Sequence, residues 1–115
     1  MDDAVRRRLL GLLGLGVRGR LAVVGVDRVR EAAKRGALRV AVVAEDASHH
    51  SREKVEGLLA AKEVPVILVP VAAELGEVAG RESTAVIGVT DAQLAKGILA
   101  AADPAARKQG SRRKG

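Results

Sequence analysis

The sequence predicts an α/β fold: one domain in which helices cover both faces of a sheet, a three-layer α/β/α sandwich. Three observations carry that expectation. Short β-branched or aliphatic runs alternate with longer segments whose apolar residues recur at helical spacing. The runs hold few polar residues, the mark of strands buried on both faces, and such patterning favours a mostly parallel sheet. The chain has 115 residues, 48% of them hydrophobic, which suffices for one such core and not for two.

Arg6 to Leu15 places Leu9, Leu12 and Leu13 at helical spacing, and Arg18-Gly19-Arg20 breaks that helix before the short β-like run Leu21 to Val24. Gly25 then opens an amphipathic segment, Val26 to Arg35. Val26, Val29 and Ala33 share its apolar side, charges fill the other, and Gly36 supplies a C-cap. Leu38 to Ala44 is a β-branched run suited to a buried strand, and Glu45-Asp46-Ala47-Ser48 leads into a helix from about Ser51 to Lys62. Val64 to Val69, with Pro65 near its start, reads as the next strand, and Ala72 to Ala79 as a short helix ended by Gly80. Thr84 to Val89 is another apolar strand. Thr90-Asp91-Ala92-Gln93 has capping-box spacing, with the Thr90 hydroxyl and the Gln93 amide as the capping groups. The last helix runs to about Ala102 and stops at Asp103-Pro104. The organisation is thus one domain over residues 1–102 and a basic tail over 103–115.

Composition narrows the chemistry. Without cysteine there are no disulfides, thiolate metal sites or cysteine nucleophiles. Without Phe, Tyr or Trp, the core is built from aliphatic residues, and bases cannot stack on aromatic platforms. A nucleic-acid ligand would have to be held by Arg and Lys, backbone amides and groove shape. The net charge is +6, and residues 103–115 carry +4 of it, from five bases and one acid. No apolar stretch reaches the roughly 18–20 residues of a membrane span. Leu9 to Val17, preceded by Arg6-Arg7-Arg8, is interrupted by Gly11, Gly14 and Gly16 and lacks a cleavage site, so a secretory leader is not expected either. The expectation is a soluble cytoplasmic protein.

Catalytic constellations are not found. Gly14-Leu15-Gly16-Val17-Arg18-Gly19 spells a dinucleotide-binding glycine pattern, but it follows a helix and leads into a strand, the reverse of the required order. His49 and His50 are adjacent, so on a helix they diverge by about 100° and make a poor metal pair. Glu45 and Asp46 follow a strand, where α/β proteins often place catalysis, yet no nucleophile and base are brought to them, and turn and capping roles suffice. The expectation is a protein without cofactor, metal or enzymatic activity.

From Gly25 the sequence becomes specific. Gly25-Val26-Asp27-Arg28-Val29-Arg30-Glu31-Ala32-Ala33-Lys34-Arg35-Gly36, followed by Leu38 to Asp46, resembles the RNA-binding helix and following strand of the kink-turn-binding ribosomal protein family, of L7Ae and L30e type with small bacterial YlxQ-like members. Val64-Pro65-Val66 resembles that family's third strand. Glu74-Leu75-Gly76-Glu77-Val78-Ala79-Gly80 resembles the turn leading to its second RNA-contacting loop, and Val86 to Asp91 the strand before its final helix. The similarity spans about Leu9 to Ala100.

This resemblance implies an α/β/α sandwich with a mixed four-stranded sheet in place of a mainly parallel one. It also implies recognition of sharply bent RNA, with rRNA or the ribosome as partner and the protein acting as a monomer. The contacting residues would be Gly25, Val26, Asp27, Arg28, Arg30, Glu31, Lys34 and Arg35 on the helix, with Gly80, Arg81, Glu82 and Ser83 in the loop. Such a helix N-terminus presents unpaired amides and a positive dipole end to phosphates. The sequence departs from the family pattern at Asp27, Arg28 and Glu31, where strong binders carry Asn, Glu and Lys, and at Arg81-Glu82-Ser83, where an apolar turn is common. Arg18 and Arg20, just ahead of the first strand, would flank the RNA surface. A protein-interaction module on the same fold is the alternative.

Overall fold

In the computed structural model, which describes residues 2–102, five helices and four strands alternate. They are α1 (Asp3–Arg18), β1 (Ala22–Val24), α2 (Val26–Lys34), β2 (Val40–Ala44), α3 (His49–Ala61), β3 (Val66–Val69), α4 (Ala72–Val78), β4 (Val86–Val89) and α5 (Ala92–Ala102). The expected helix stop at Asp103-Pro104 and the basic tail lie outside the described residues.

The strands form one sheet in the order β1-β4-β2-β3. Only β2 and β3 pair in parallel; β4 runs antiparallel to both β1 and β2. The mostly parallel sheet expected from patterning is therefore corrected to the mixed four-stranded sheet. β1, β2 and β3 do share one direction, and β4 inserts between β1 and β2 against it.

Side chains alternate along the strands into two cores, as pleating requires. Val40, Val42, Ala44, Ile87 and Val89 meet Leu9 and Leu13 of α1, Leu75 of α4 and Ala95 and Ile98 of α5. Ala41, Val43 and Val86 meet Val29, Ala32 and Ala33 of α2 and Val55 and Leu59 of α3. The layers are thus α1/α4/α5, sheet, α2/α3. β3 departs from the expectation of strands buried on both faces: Val66 and Leu68 stay 41% and 42% exposed at the sheet edge.

Element ends differ from the sequence reading for local reasons. α1 starts at Asp3 rather than Arg6 because the Asp2 carboxylate accepts from the Val5 N–H at 2.8 Å. Ser48 accepts from the Ser51 N–H at 3.1 Å, so α3 takes His49 and His50 into its first turn. The capping box at Thr90 is corrected: the Thr90 hydroxyl donates to the Leu21 carbonyl, and Asp91 caps α5 by accepting from the Leu94 N–H at 2.8 Å. The Thr90 N–H donates to the same Leu21 carbonyl, just beyond the β1–β4 ladder, so both its donors are taken by the residue ahead of β1.

The glycine pattern Gly14 to Gly19 lies in α1 and its C-cap. A Cβ on Gly16 would sit 2.5 Å from Leu94 Cδ2, so this glycine serves the close crossing of α1 over α5. No helix among the described residues is long and apolar enough to cross a membrane.

Candidate nucleic-acid interface

The helices differ in how their first-turn amides are satisfied. Asp2, Ser48 and Asp91 cap α1, α3 and α5, and the Asp46 carboxylate reaches across from the end of β2 to accept from the Ala72 N–H of α4 at 2.7 Å. Among the five described helices, α2 alone receives no side-chain acceptor. Its N-cap is Gly25, at φ 97° and ψ 160°, a region essentially closed to residues with a Cβ. The Gly25 N–H donates to the Val86 carbonyl at 3.0 Å, and its own carbonyl accepts from the Val29 N–H. The turn is therefore fixed to the start of β4 while the amides beyond it face outward, at the positive end of the helix dipole.

The loop between α4 and β4 is brought beside this turn. Ala79 is the C-cap of α4, Gly80 follows at φ 71°, and the Arg81 N–H returns to the Gly76 carbonyl at 2.7 Å. This is the wrapped helix end in which a left-handed residue lets the chain satisfy the last carbonyls. The chain then crosses directly over Gly76, where an added Cβ would lie 2.4 Å from Ser83 Cα. The Arg81 side chain reaches Gly25: its Nη1 is 3.5 Å from where a Gly25 Cβ would stand. Val24, Gly25, Val26, Asp27, Arg28 and Arg81 line a recess of about 310 Å³ between the α2 turn and the loop.

The structure thus brings Gly25, Val26, Asp27 and Arg28 together with Arg81, and leaves Glu82 and Ser83 exposed beside them. Arg28, Glu31 and Arg35 follow at helical spacing along the exposed side of α2, with Asp27 and Lys34 adjacent. Arg30 is turned elsewhere, its guanidinium donating to the Lys54 carbonyl of α3, so it ties two helices together. Arg18 and Arg20, adjacent in sequence to the break after α1, separate: Arg18 lines a recess between α1 and α4, and Arg20 one along β1. What the sequence reading missed is the role of Asp46 in seating α4, and with it the loop; an acid after a strand carries no sequence signal naming a helix 26 residues on.

No group of three or more His, Asp or Glu side chains among the described residues could hold a metal ion. His49 instead meets Glu53 at 2.7 Å on the α3 surface.

The profile of the ribosomal protein L7Ae/L30e/S12e/Gadd45 family matches residues 9–98. The RNA-binding protein YlxQ of Bacillus subtilis (strain 168) is 33% identical over 92 residues, covering 80% of this chain and 92% of that protein. Among solved structures, a Bacillus halodurans C protein of unknown function superposes with a TM-score of 0.77 at 30% identity, over 84% of this chain and 97% of the other. The Giardia lamblia 15.5kD RNA binding protein superposes with a TM-score of 0.75 at 17% identity, over 89% and 90%, a likeness of fold.

Proposed function

The chain belongs to the ribosomal protein L7Ae/L30e/S12e/Gadd45 family, and from that membership we propose that it is a non-enzymatic RNA-binding protein recognising a kink-turn-like RNA in the cytoplasm, in association with rRNA or the ribosome. The observation that carries this reading is the uncapped first turn of α2 fixed beside the 80–83 loop, with Arg28 and Arg81 on either side of the recess between them. Phosphates fit the outward amides and the dipole end. The two guanidiniums supply forked donors for phosphate oxygens or base edges. Its similarity to the B. subtilis protein YlxQ, an RNA-binding protein by name, supports the same reading.

The departures from the family pattern acquire a physical account. Asp27 and Glu31 are acids that repel phosphate, and Arg28 and Arg81 place two positive charges at the recess that Asp27 lines. The cations stand instead at the third residue of α2 and in the loop. The test is a gel-shift titration against a kink-turn RNA and a straight duplex of equal length, at two salt concentrations. A preference for the kinked RNA that survives higher salt is expected. Binding that is equal for both RNAs and collapses with salt, as pure counterion release requires, would sink it. Arg28→Glu combined with Arg81→Glu should abolish the preference with the circular dichroism spectrum unchanged; retained preference would favour a protein partner for this surface.

A further inference from the structure

Beyond the recess at Gly25 lies a second one of about 470 Å³, on the outer side of β1. β1 is an edge of the sheet, so this flank is bounded by no further strand. Arg20, Arg28 and Arg81 converge on it over a floor that includes Val17, Val24 and Ala79, and its lining contains no carboxylate. None of the three arginines makes an ion pair among the described residues, whereas Arg6 and Arg52 do. Across this recess the three like charges repel one another, with Asp27 standing only at the adjoining recess, and an anion in their midst relieves that repulsion. Arg28 and Arg81 also line the recess at Gly25, so the two recesses form one track.

The backbone at Arg20 makes the residue separable from the fold. It stands at φ 61°, the left-handed conformation that a Cβ disfavours and that glycine adopts without penalty. Its N–H bonds to the Val17 carbonyl at 3.3 Å, and Leu21 N–H returns to Gly16 at 2.8 Å. This is the same wrapped helix end that Gly36, Glu63 and Gly80 serve after α2, α3 and α4. A glycine would satisfy the backbone here; the guanidinium is the feature that glycine lacks.

We propose that this β1-edge groove holds a further nucleotide step of the bound RNA, with its phosphate among Arg20, Arg28 and Arg81 and its sugar or base over the aliphatic floor. The assignment rests on the RNA-binding reading and extends it to a residue outside the α2 turn and the loop. Aliphatic rather than aromatic flooring gives contact without strong base preference, so Arg20 contributes grip and register rather than sequence selection.

Arg20→Gly tests this without endangering the fold, because it removes the guanidinium and leaves a residue suited to φ 61°. The full chain is titrated with a kink-turn RNA hairpin over a series of salt concentrations, beside Lys96→Ala, which removes one charge from exposed α5. Arg20→Gly should melt no lower than the parent, bind about tenfold more weakly, and show a log K against log salt slope shallower by about 0.7–0.9, one phosphate contact. Lys96→Ala should leave the slope unchanged. An Arg20→Gly slope equal to that of the parent or of Lys96→Ala overturns the groove assignment. A parent protein that fails to prefer the kinked RNA defeats the function proposed above, yet a slope reduction specific to Arg20→Gly would still support a phosphate contact in this groove.

Discussion

Ser83 Cα lies so close over Gly76 that a single methyl there would sit 2.4 Å away from it. The obstructing atoms are backbone, so no rotamer change relieves the contact. Gly76→Ala is expected to lower stability by about 2 kcal/mol, in the range of overpacked sites, read as a fall in the urea midpoint at constant m value. Since the displaced atoms belong to the loop bearing Arg81, RNA affinity should fall by more than the stability loss explains. A variant with parental stability and parental affinity would show that the loop is not held by this contact. At this scale the sequence was partly legible. Gly36 and Gly80 were legible as helix ends, and both have the positive φ that such an end uses, as Gly25 does at the start of α2. Arg20 and Glu63 adopt the same conformation, at φ 61° and 56°, with no glycine to signal it, because helix termination is set there by the following strand's position. The direction of Arg30 was equally hidden: the α2–α3 packing that draws it to the Lys54 carbonyl is a tertiary fact.

Among the elements, α4 is short, at seven residues, and too short to be stable alone. Its position depends on Leu75 in the core and on Asp46, whose carboxylate takes the Ala72 N–H. Asp46→Ala should therefore cost about 1 kcal/mol, the usual value of a lost helix cap, while Asp46→Asn, which keeps an acceptor oxygen, should cost a few tenths. Amide exchange would report the difference: α4 and the 80–83 loop should lose protection in Asp46→Ala before α3 or α5 do. Uniform loss of protection across all helices would contradict a local role. All nine elements were legible as helix or strand, and so were ends such as Val26, Ala44 and Ala72, but the starts of α1, α3 and α5 were not. Those starts rest on which of two neighbouring acceptors turns toward a helix, as at Thr90 and Asp91, and hydrophobic spacing says nothing about that choice.

For the whole molecule, strand content followed from the sequence and strand direction did not. Alternating helices and apolar runs suit β1, β2 and β3, which run together, but β4 enters between β1 and β2 in the opposite sense. The chain could take either direction after the short α4; only the motif resemblance around Gly25 and Gly76 pointed to the mixed sheet. That insertion is what makes the interface, since it puts the start of β4 against Gly25 and brings the preceding loop to α2. The proposed shape reading rests on residues 20–35 and 80–83, inside the domain, whereas +4 of the +6 charge lies in residues 103–115. The two can be separated by ending the chain after Ala102, since the two cores are completed by residues up to Ala101. The shortened protein should melt within a few degrees of the parent. Its affinity should fall alike for a kink-turn RNA and a straight duplex, with a shallower salt slope on both, because phosphate contacts of this kind carry no shape information. The ratio of the two affinities should stay constant. A ratio that falls with truncation would mean that residues 103–115 help to discriminate the bend, and the interface would then have to be extended to include them.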